Sequence, residues 1–153
     1  MQALELKFPP VAQFTGAAAL MWAIAVLAPL GDFRFPGQLL LASVLLLLAG
    51  LVGLAAVRAF ARAETSVNPL RPDAASRLVT HGIYRYTRNP MYLSLLLALL
   101  AWGAWLGNTL ALLVLPAFMW LVHRLQIRPE ERALAVMFGA EYAAYAARVR
   151  RWL

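Results

Sequence analysis

The chain has 153 residues, 63% of them hydrophobic and 14% charged, with a formal net charge of +7 and no cysteine. A soluble domain of this size is about half apolar and about a quarter charged. A water-soluble enzyme, a disulfide-stapled scaffold and a disordered tail are therefore excluded, and the apolar excess, which falls into blocks, marks a small polytopic membrane protein.

Phe8-Pro9-Pro10 precedes the first apolar block, residues 11–30, and proline is tolerated in a helix's first turn because those N–H groups lack partners. The block is about twice as long as the hydrophobic core of a signal peptide, and Glu5 and Lys7 leave no net positive charge before it. It reads as a retained first helix, closed by Pro29 and Gly31, with Pro36-Gly37 as the turn signal of a short loop. The second block, 38–60, carries Ala49, Gly50 and Gly53, small residues that let a neighbouring helix approach closely.

Residues 62–90 form a long loop holding Pro69, Pro72, Gly82 and Pro90. Loops beyond about 12–15 residues are uncommon and often functional. The third and fourth blocks, 91–106 and 109–125, form a hairpin through Gly107-Asn108, and Pro116 predicts a kink in the latter. Crossing about 30 Å of hydrocarbon takes about 20 apolar residues. The first two blocks meet that length, and the last two extend into the interface.

In the final segment, 129–153, Leu134, Phe138, Tyr142, Tyr145, Val149 and Trp152 recur at steps of three and four. Arg132, Glu141, Arg148, Arg150 and Arg151 occupy much of the remainder. Pro129, Glu130 and Glu131 read as a helix start, since carboxylates favour the positive end of the helix dipole. The pattern predicts an amphipathic helix that lies along the membrane surface or caps the bundle.

Charge placement gives the topology. Arg58, Arg62, Arg71, Arg77, Arg85 and Arg88 follow the second block, and Arg124, Arg128, Arg132, Arg148, Arg150 and Arg151 follow the fourth. With Lys7, thirteen of the fourteen basic residues share one side, and Arg34, beside Asp32, stands alone on the other. The positive-inside rule makes the crowded side cytoplasmic. The expectation is an all-α bundle, one integral membrane domain over 1–153 with two N-terminal spans in 1–60, four spans in all and both termini inside. Its partner is the bilayer and not nucleic acid. The absence of cysteine removes thiol nucleophiles and thiolate metal sites, and His81 and His123 lack the carboxylate neighbours of a metal site.

Chemistry is concentrated in the run Leu78-Val79-Thr80-His81-Gly82-Ile83-Tyr84-Arg85-Tyr86-Thr87-Arg88-Asn89-Pro90-Met91-Tyr92 and in Pro129-Glu130-Glu131. The hairpin brings the two together. Backbone donors ahead of Pro90 suit a carboxylate or another anion, and the two glutamates suit an amine or ribose hydroxyls. Each residue type also has a structural use: arginines as orientation signals, tyrosines as interfacial aromatics, glutamates against the helix dipole. Residue chemistry alone thus gives a pocket for a zwitterionic polar cofactor, and no reaction.

The run Leu78-Val79-Thr80-x-Gly82-x-Tyr84-Arg85-x-x-Arg88-Asn89-Pro90-x-Tyr92 resembles the first motif of the isoprenylcysteine carboxyl methyltransferase and phospholipid methyltransferase family. Glu130-Glu131-x-x-Leu134-x-x-x-Phe138-Gly139-x-Glu141-Tyr142-x-x-Tyr145, ending in Val149-x-Arg151-Trp152, is similar to the second, and Thr65-Ser66-Val67-Asn68-Pro69 to a loop of bacterial members. The resemblance covers the methyltransferase-like region 61–153. It implies S-adenosylmethionine as methyl donor on the cytosolic side of a bacterial inner membrane, with a lipophilic substrate entering from the bilayer. Carried over by position, it implies a cofactor site formed by Ser76, Arg77, Leu78, Val79, His81, Gly82, Tyr84, Arg88, Asn89, Pro90, Met91, Tyr92, Glu130 and Glu131. Arg124, Gln126 and Arg128 are the implied substrate contacts. Asn89 stands where eukaryotic members usually have histidine, so no titrating group is expected there. No residue stands out as a general base. A nicotinamide-dependent reductase akin to sterol reductases and a non-catalytic membrane scaffold are the competing classes. Gly103 and Gly107 are a small-residue pair that leaves the oligomeric state open.

Overall fold

In α2 (Gln38–Ala63) the buried positions after Gln38 at its start are small: Ala42, Ala49, Ala56 and Ala63 recur every seven residues, joined by Ala59. The leucines face outward, Leu39 and Leu40 each 68% exposed. Small residues inside and large apolar ones outside is the pattern of a helix whose solvent is hydrocarbon. The computed structural model describes residues 9–63 and 77–153, and its regular elements are helical. They are α1 (Pro10–Leu27), α2, α3 (Pro90–Leu106), α4 (Thr109–Leu112), α5 (Val114–Val122) and α6 (Arg128–Arg148).

The alanine seam of α2 lies along α3, where Ser94 packs over Gly53; α1 packs against α3, α4 and α5. The core between them is Met21, Tyr92, Leu99, Ala111, Val114, Phe118, Val122 and Ile127. Among the described residues, three helical stretches are long and apolar enough to cross a membrane: Pro10–Leu27, Gln38–Ala63 and Thr109–Arg148, the last taken across α4, α5 and α6. The expected third span, α3, is apolar but has 17 residues, about 25 Å at 1.5 Å each, and falls short of the same length.

The hairpin forms as the turn residues dictate. Gly107 takes the left-handed conformation that ends α3, and the Asn108 side chain caps α4 by accepting from Ala111 N–H. Asn108 is fully buried, and its amide nitrogen donates to the Ala28 carbonyl and to Asp32. Gly103 and Gly107 are consumed within the chain: Gly103 abuts Leu112 and Met21, and Gly107 abuts Gln38 and Phe33.

Pro116 acts one turn earlier than its own position. The helix breaks at Leu113, whose N–H bonds to Leu110, because proline cannot donate to the carbonyl four residues back and its ring crowds that carbonyl. Pro129 does not begin a separate helix. The chain runs from α5 into α6 through a π-helical turn, His123–Ile127, in which Arg128 N–H bonds to the His123 carbonyl. The widened turn relieves the clash that Pro129 would make with the Leu125 carbonyl.

The terminal segment also departs from a single amphipathic helix. Gly139 adopts φ 49° and ψ −119°, dividing α6, and residues 149–153 are not helical. The stripe residues Leu134, Phe138, Tyr142, Tyr145 and Val149 cluster with Leu78, while Trp152 packs against the main core.

Candidate active site

Pro90 fixes the first turn of α3 and places Tyr92 on the face that meets the start of α6. The Tyr92 hydroxyl donates to Glu130 Oε1 at 2.5 Å, in a part-buried contact. One residue on, Glu131 accepts two hydrogen bonds from Arg151, Nε at 3.0 Å and a terminal nitrogen at 2.6 Å. Arg88 approaches the same carboxylate at 3.3 Å and donates to the Tyr142 hydroxyl at 3.4 Å. Two guanidiniums therefore share one carboxylate. Among the described residues, the buried Arg88 Nε–H meets no hydrogen-bond acceptor. A buried donor of this kind is costly unless something accepts from it.

The C-terminal segment closes over the first motif as a strap. Arg88 N–H donates to the Arg150 carbonyl at 3.0 Å. Asn89 Nδ2 and Thr87 Oγ1 donate to the Arg151 carbonyl at 2.9 and 3.2 Å. Asn89 N–H donates in turn to Thr87 Oγ1. Of the backbone donors ahead of Pro90, expected to face an anion, Arg88 N–H is thus spent on Arg150 and Asn89 N–H on Thr87. Tyr145 adds a fourth tie, its hydroxyl donating to the Tyr84 carbonyl at 2.8 Å.

The remaining expected cofactor residues separate into three settings. Val79 and Tyr84 are buried with Ala56, Ala59 and Ala63 of α2, with Met91 packed beside them and Phe60 edge-on to the Tyr84 ring. Leu78 joins the Tyr142–Tyr145–Val149 cluster. Arg77, His81 and Gly82 are exposed, on the short turn before Tyr84. Ser76 and the stretch Thr65-Ser66-Val67-Asn68-Pro69 lie outside the described residues. Burial pushes the Tyr84 phenol far above its usual range, helped by Tyr145 and Glu130, so it stays protonated. The hydrogen bond to Glu131 raises the Arg151 guanidinium above its ordinary value.

The expected substrate contacts fall on or beside the π turn. Gln126 is fully buried, Arg124 is half-buried, and Arg128, which ends the turn, is exposed. Single π turns inside helices are frequent at functional sites because they displace one side chain from the regular helical track. Thr87, Tyr142, Tyr145 and Arg151 belong to the site as structural members that residue-type reasoning did not single out. Their signal was present: all but Thr87 fall on named positions of the second motif.

Residues 38–141 match the phospholipid methyltransferase family. The chain belongs to that family. Over 63 residues it is 54% identical to an uncharacterized protein of Haemophilus influenzae, covering 41% of this chain and all of that one. It is 29% identical over 110 residues to a probable protein-S-isoprenylcysteine O-methyltransferase of Oryza sativa, covering 72% of this chain and 58% of that one. With the protein-S-isoprenylcysteine O-methyltransferase of Schizosaccharomyces pombe it shares 35% over 72 residues, covering 47% and 30%. The chain thus spans 58% and 30% of the length of these two enzymes. No solved structure matches. The family match takes in Tyr92, Glu130 and Glu131, while Arg151 and the strap lie beyond its end.

Proposed function

We propose that this chain is an S-adenosylmethionine-dependent membrane methyltransferase acting on a lipophilic acceptor: an isoprenylcysteine-like carboxylate, a phospholipid amine or a small apolar thiol. The observation that carries the reading is the union of the two family motifs at one end of the α3–α5 hairpin, through Tyr92–Glu130 and through Arg88 and Glu131. Family membership supports group transfer over the nicotinamide-dependent alternative. In the same reading α3 completes four spans, and both termini face the cytoplasm of a bacterial inner membrane.

The residues fit a donor with an amino-acid end and a hydroxylated end. Arg88, with its buried unshared Nε–H, suits a carboxylate, and Glu130 suits an amine or a pair of hydroxyls. Bound there, the sulfonium supplies an electrophilic methyl carbon. The protein's part is to hold the acceptor in line with it and to keep water out. A carboxylate or thiolate acceptor needs no base. The buried Gln126 and half-buried Arg124 in the π turn orient the acceptor's polar end.

The test is transfer of a labelled methyl group from S-adenosylmethionine into a total lipid extract by the protein in nanodiscs, with mass spectrometry of the product. Titration calorimetry with the same donor gives binding directly. Labelled product, with binding reduced at least tenfold by Glu130→Gln, is the expected result. Absence of both donor binding and labelled product overturns the proposal.

A further inference from the structure

The far end of α3 carries a second opening. A cleft of about 500 Å³ runs between α1 and α2, floored by Ala98, Ala101 and Trp102 of α3 and flanked by Phe14 and Leu46. It adjoins a cavity of about 690 Å³ lined by Trp22, Asp32, Arg34 and Gln38. Leu39 and Trp105 border both, making one groove that is apolar along the helices and polar at its mouth. Each part lies in the range of about 300–1,000 Å³ that small-molecule sites occupy.

This groove is separate from the Tyr92–Glu130 site. At 3.6 residues per turn, Tyr92, Leu99 and Gly103 share the core face of α3, whereas Ala98, Ala101 and Trp105 lie on another face. Trp105 is also about 20 Å further along the axis than Tyr92. The mouth holds the one basic residue that the charge distribution leaves on this side, Arg34. Arg34 makes no ion pair or hydrogen bond among the described residues, and Asp32 takes a single hydrogen bond, from Asn108. An exposed cation and an exposed anion two residues apart, above an apolar slot bounded by helices that face lipid, match one chemistry. That chemistry is a phosphate and an amine on an acyl chain.

We propose that the groove binds a zwitterionic phospholipid of the leaflet opposite the methyl-transfer site. One acyl chain lies on α3 between α1 and α2, the phosphate meets Arg34 and the amine meets Asp32. The site is distinct from that of the methyl acceptor.

Tryptophan fluorescence reads it, because three of the five tryptophans, Trp22, Trp102 and Trp105, line the groove, while Trp120 lies on α5 and Trp152 in the C-terminal segment. Delipidated full-length protein in detergent is titrated with a zwitterionic phospholipid brominated on its acyl chains. The expected result is saturable quenching at one lipid per chain that survives both Trp120→Phe and Trp152→Phe. Arg34→Gln raises the half-saturation point at least tenfold, and Ser43→Phe, an exposed groove-lining position, lowers the maximal quench by half or more. Ala98→Leu serves as a second filling variant should Ser43→Phe fail to fold. Quenching that never saturates, or that is unchanged in all three variants, overturns the proposal. So does light scattering that shows a dimer dissociated by Ser43→Phe without lipid, since the groove is then a contact between copies. S-adenosylmethionine binding measured on the same samples stays unchanged in the groove variants. A loss of the methyltransferase reading is therefore distinguishable from a loss of this one.

Discussion

The Tyr92 hydroxyl donates to the Glu130 carboxylate across 38 positions of sequence, fastening the first turn of α3 to the first turn of α6. Neither residue would hold this geometry alone. A part-buried carboxylate without its donor carries a desolvation cost of about 1–3 kcal/mol. Tyr92→Phe removes the donor and keeps the ring, so it lowers thermal stability in detergent by roughly 2–4 °C for each kcal/mol lost. Glu130→Gln keeps an acceptor for Tyr92 and removes the charge. It is expected to leave the melting temperature nearly unchanged while weakening S-adenosylmethionine binding, and equal effects of the two variants on both measurements would count against a ligand role for Glu130.

Glu131 has a different task, since its carboxylate ties the C-terminal strap to the first motif through Arg88 and Arg151. The Arg151 side chain is 38% exposed, so solvent screens its pairing. Glu131→Gln leaves two guanidiniums without their shared anion and frees the strap at one of its anchors. Carboxypeptidase trimming of residues 149–153, followed by intact mass, is expected to quicken several-fold. Asn89→Ala removes the side-chain tie to the Arg151 carbonyl and acts in the same direction, costing about 1 kcal/mol. Trimming at the wild-type rate in both variants would show that packing of Val149 and Trp152 alone holds the segment.

The π turn between α5 and α6 owes its register to Pro129. Pro129→Ala restores an N–H and removes the ring that crowds the Leu125 carbonyl, so the turn can relax to regular α-helix. Relaxation rotates Arg124 and Gln126 relative to Glu130. The expected outcome is an intact or slightly raised melting temperature together with at least a tenfold loss of methyl transfer. Full activity would separate the π turn from the acceptor site.

Much of this arrangement was legible in residue order. The apolar blocks, the Gly107-Asn108 hairpin and the meeting of the two motifs follow from periodicity, turn chemistry and connectivity. What pairs with what was not legible. Asn89 and the Arg88 N–H looked available to a ligand because sequence does not show that residues 150 and 151 return to them as carbonyl acceptors. The break at Gly139 was hidden because a single glycine inside a helical pattern is tolerated at a cost of only about 1 kcal/mol. The shift from Pro116 to a break at Leu113 follows from where proline acts, on the turn before it. The length of α3 separates a span counted by apolar residues from one measured along its axis.

Gly107 gives the most direct test of the hairpin. Its φ of +67° is a left-handed conformation, and a Cβ there would lie 2.7 Å from both the Gln38 side-chain nitrogen and the Phe33 carbonyl oxygen. The second neighbour is backbone and cannot rotate away. The Phe33 N–H also bonds to the Gly107 carbonyl at 2.7 Å, so the loop between α1 and α2 and the hairpin turn would have to move together. Left-handed backbone alone costs a non-glycine residue about 1–2 kcal/mol, and the steric overlap adds to it. Gly107→Ala is expected to lower the melting temperature by at least about 5 °C. Gly50, on α2 with nothing near its Cβ position, is the matched control. Gly50→Ala gains helix propensity of up to about 1 kcal/mol and loses no contact, so its melting temperature holds or rises. Equal melting temperatures for the two variants would mean that the turn adapts and that Asn108, through its bonds to Ala28 and Asp32, holds this end of the bundle by itself.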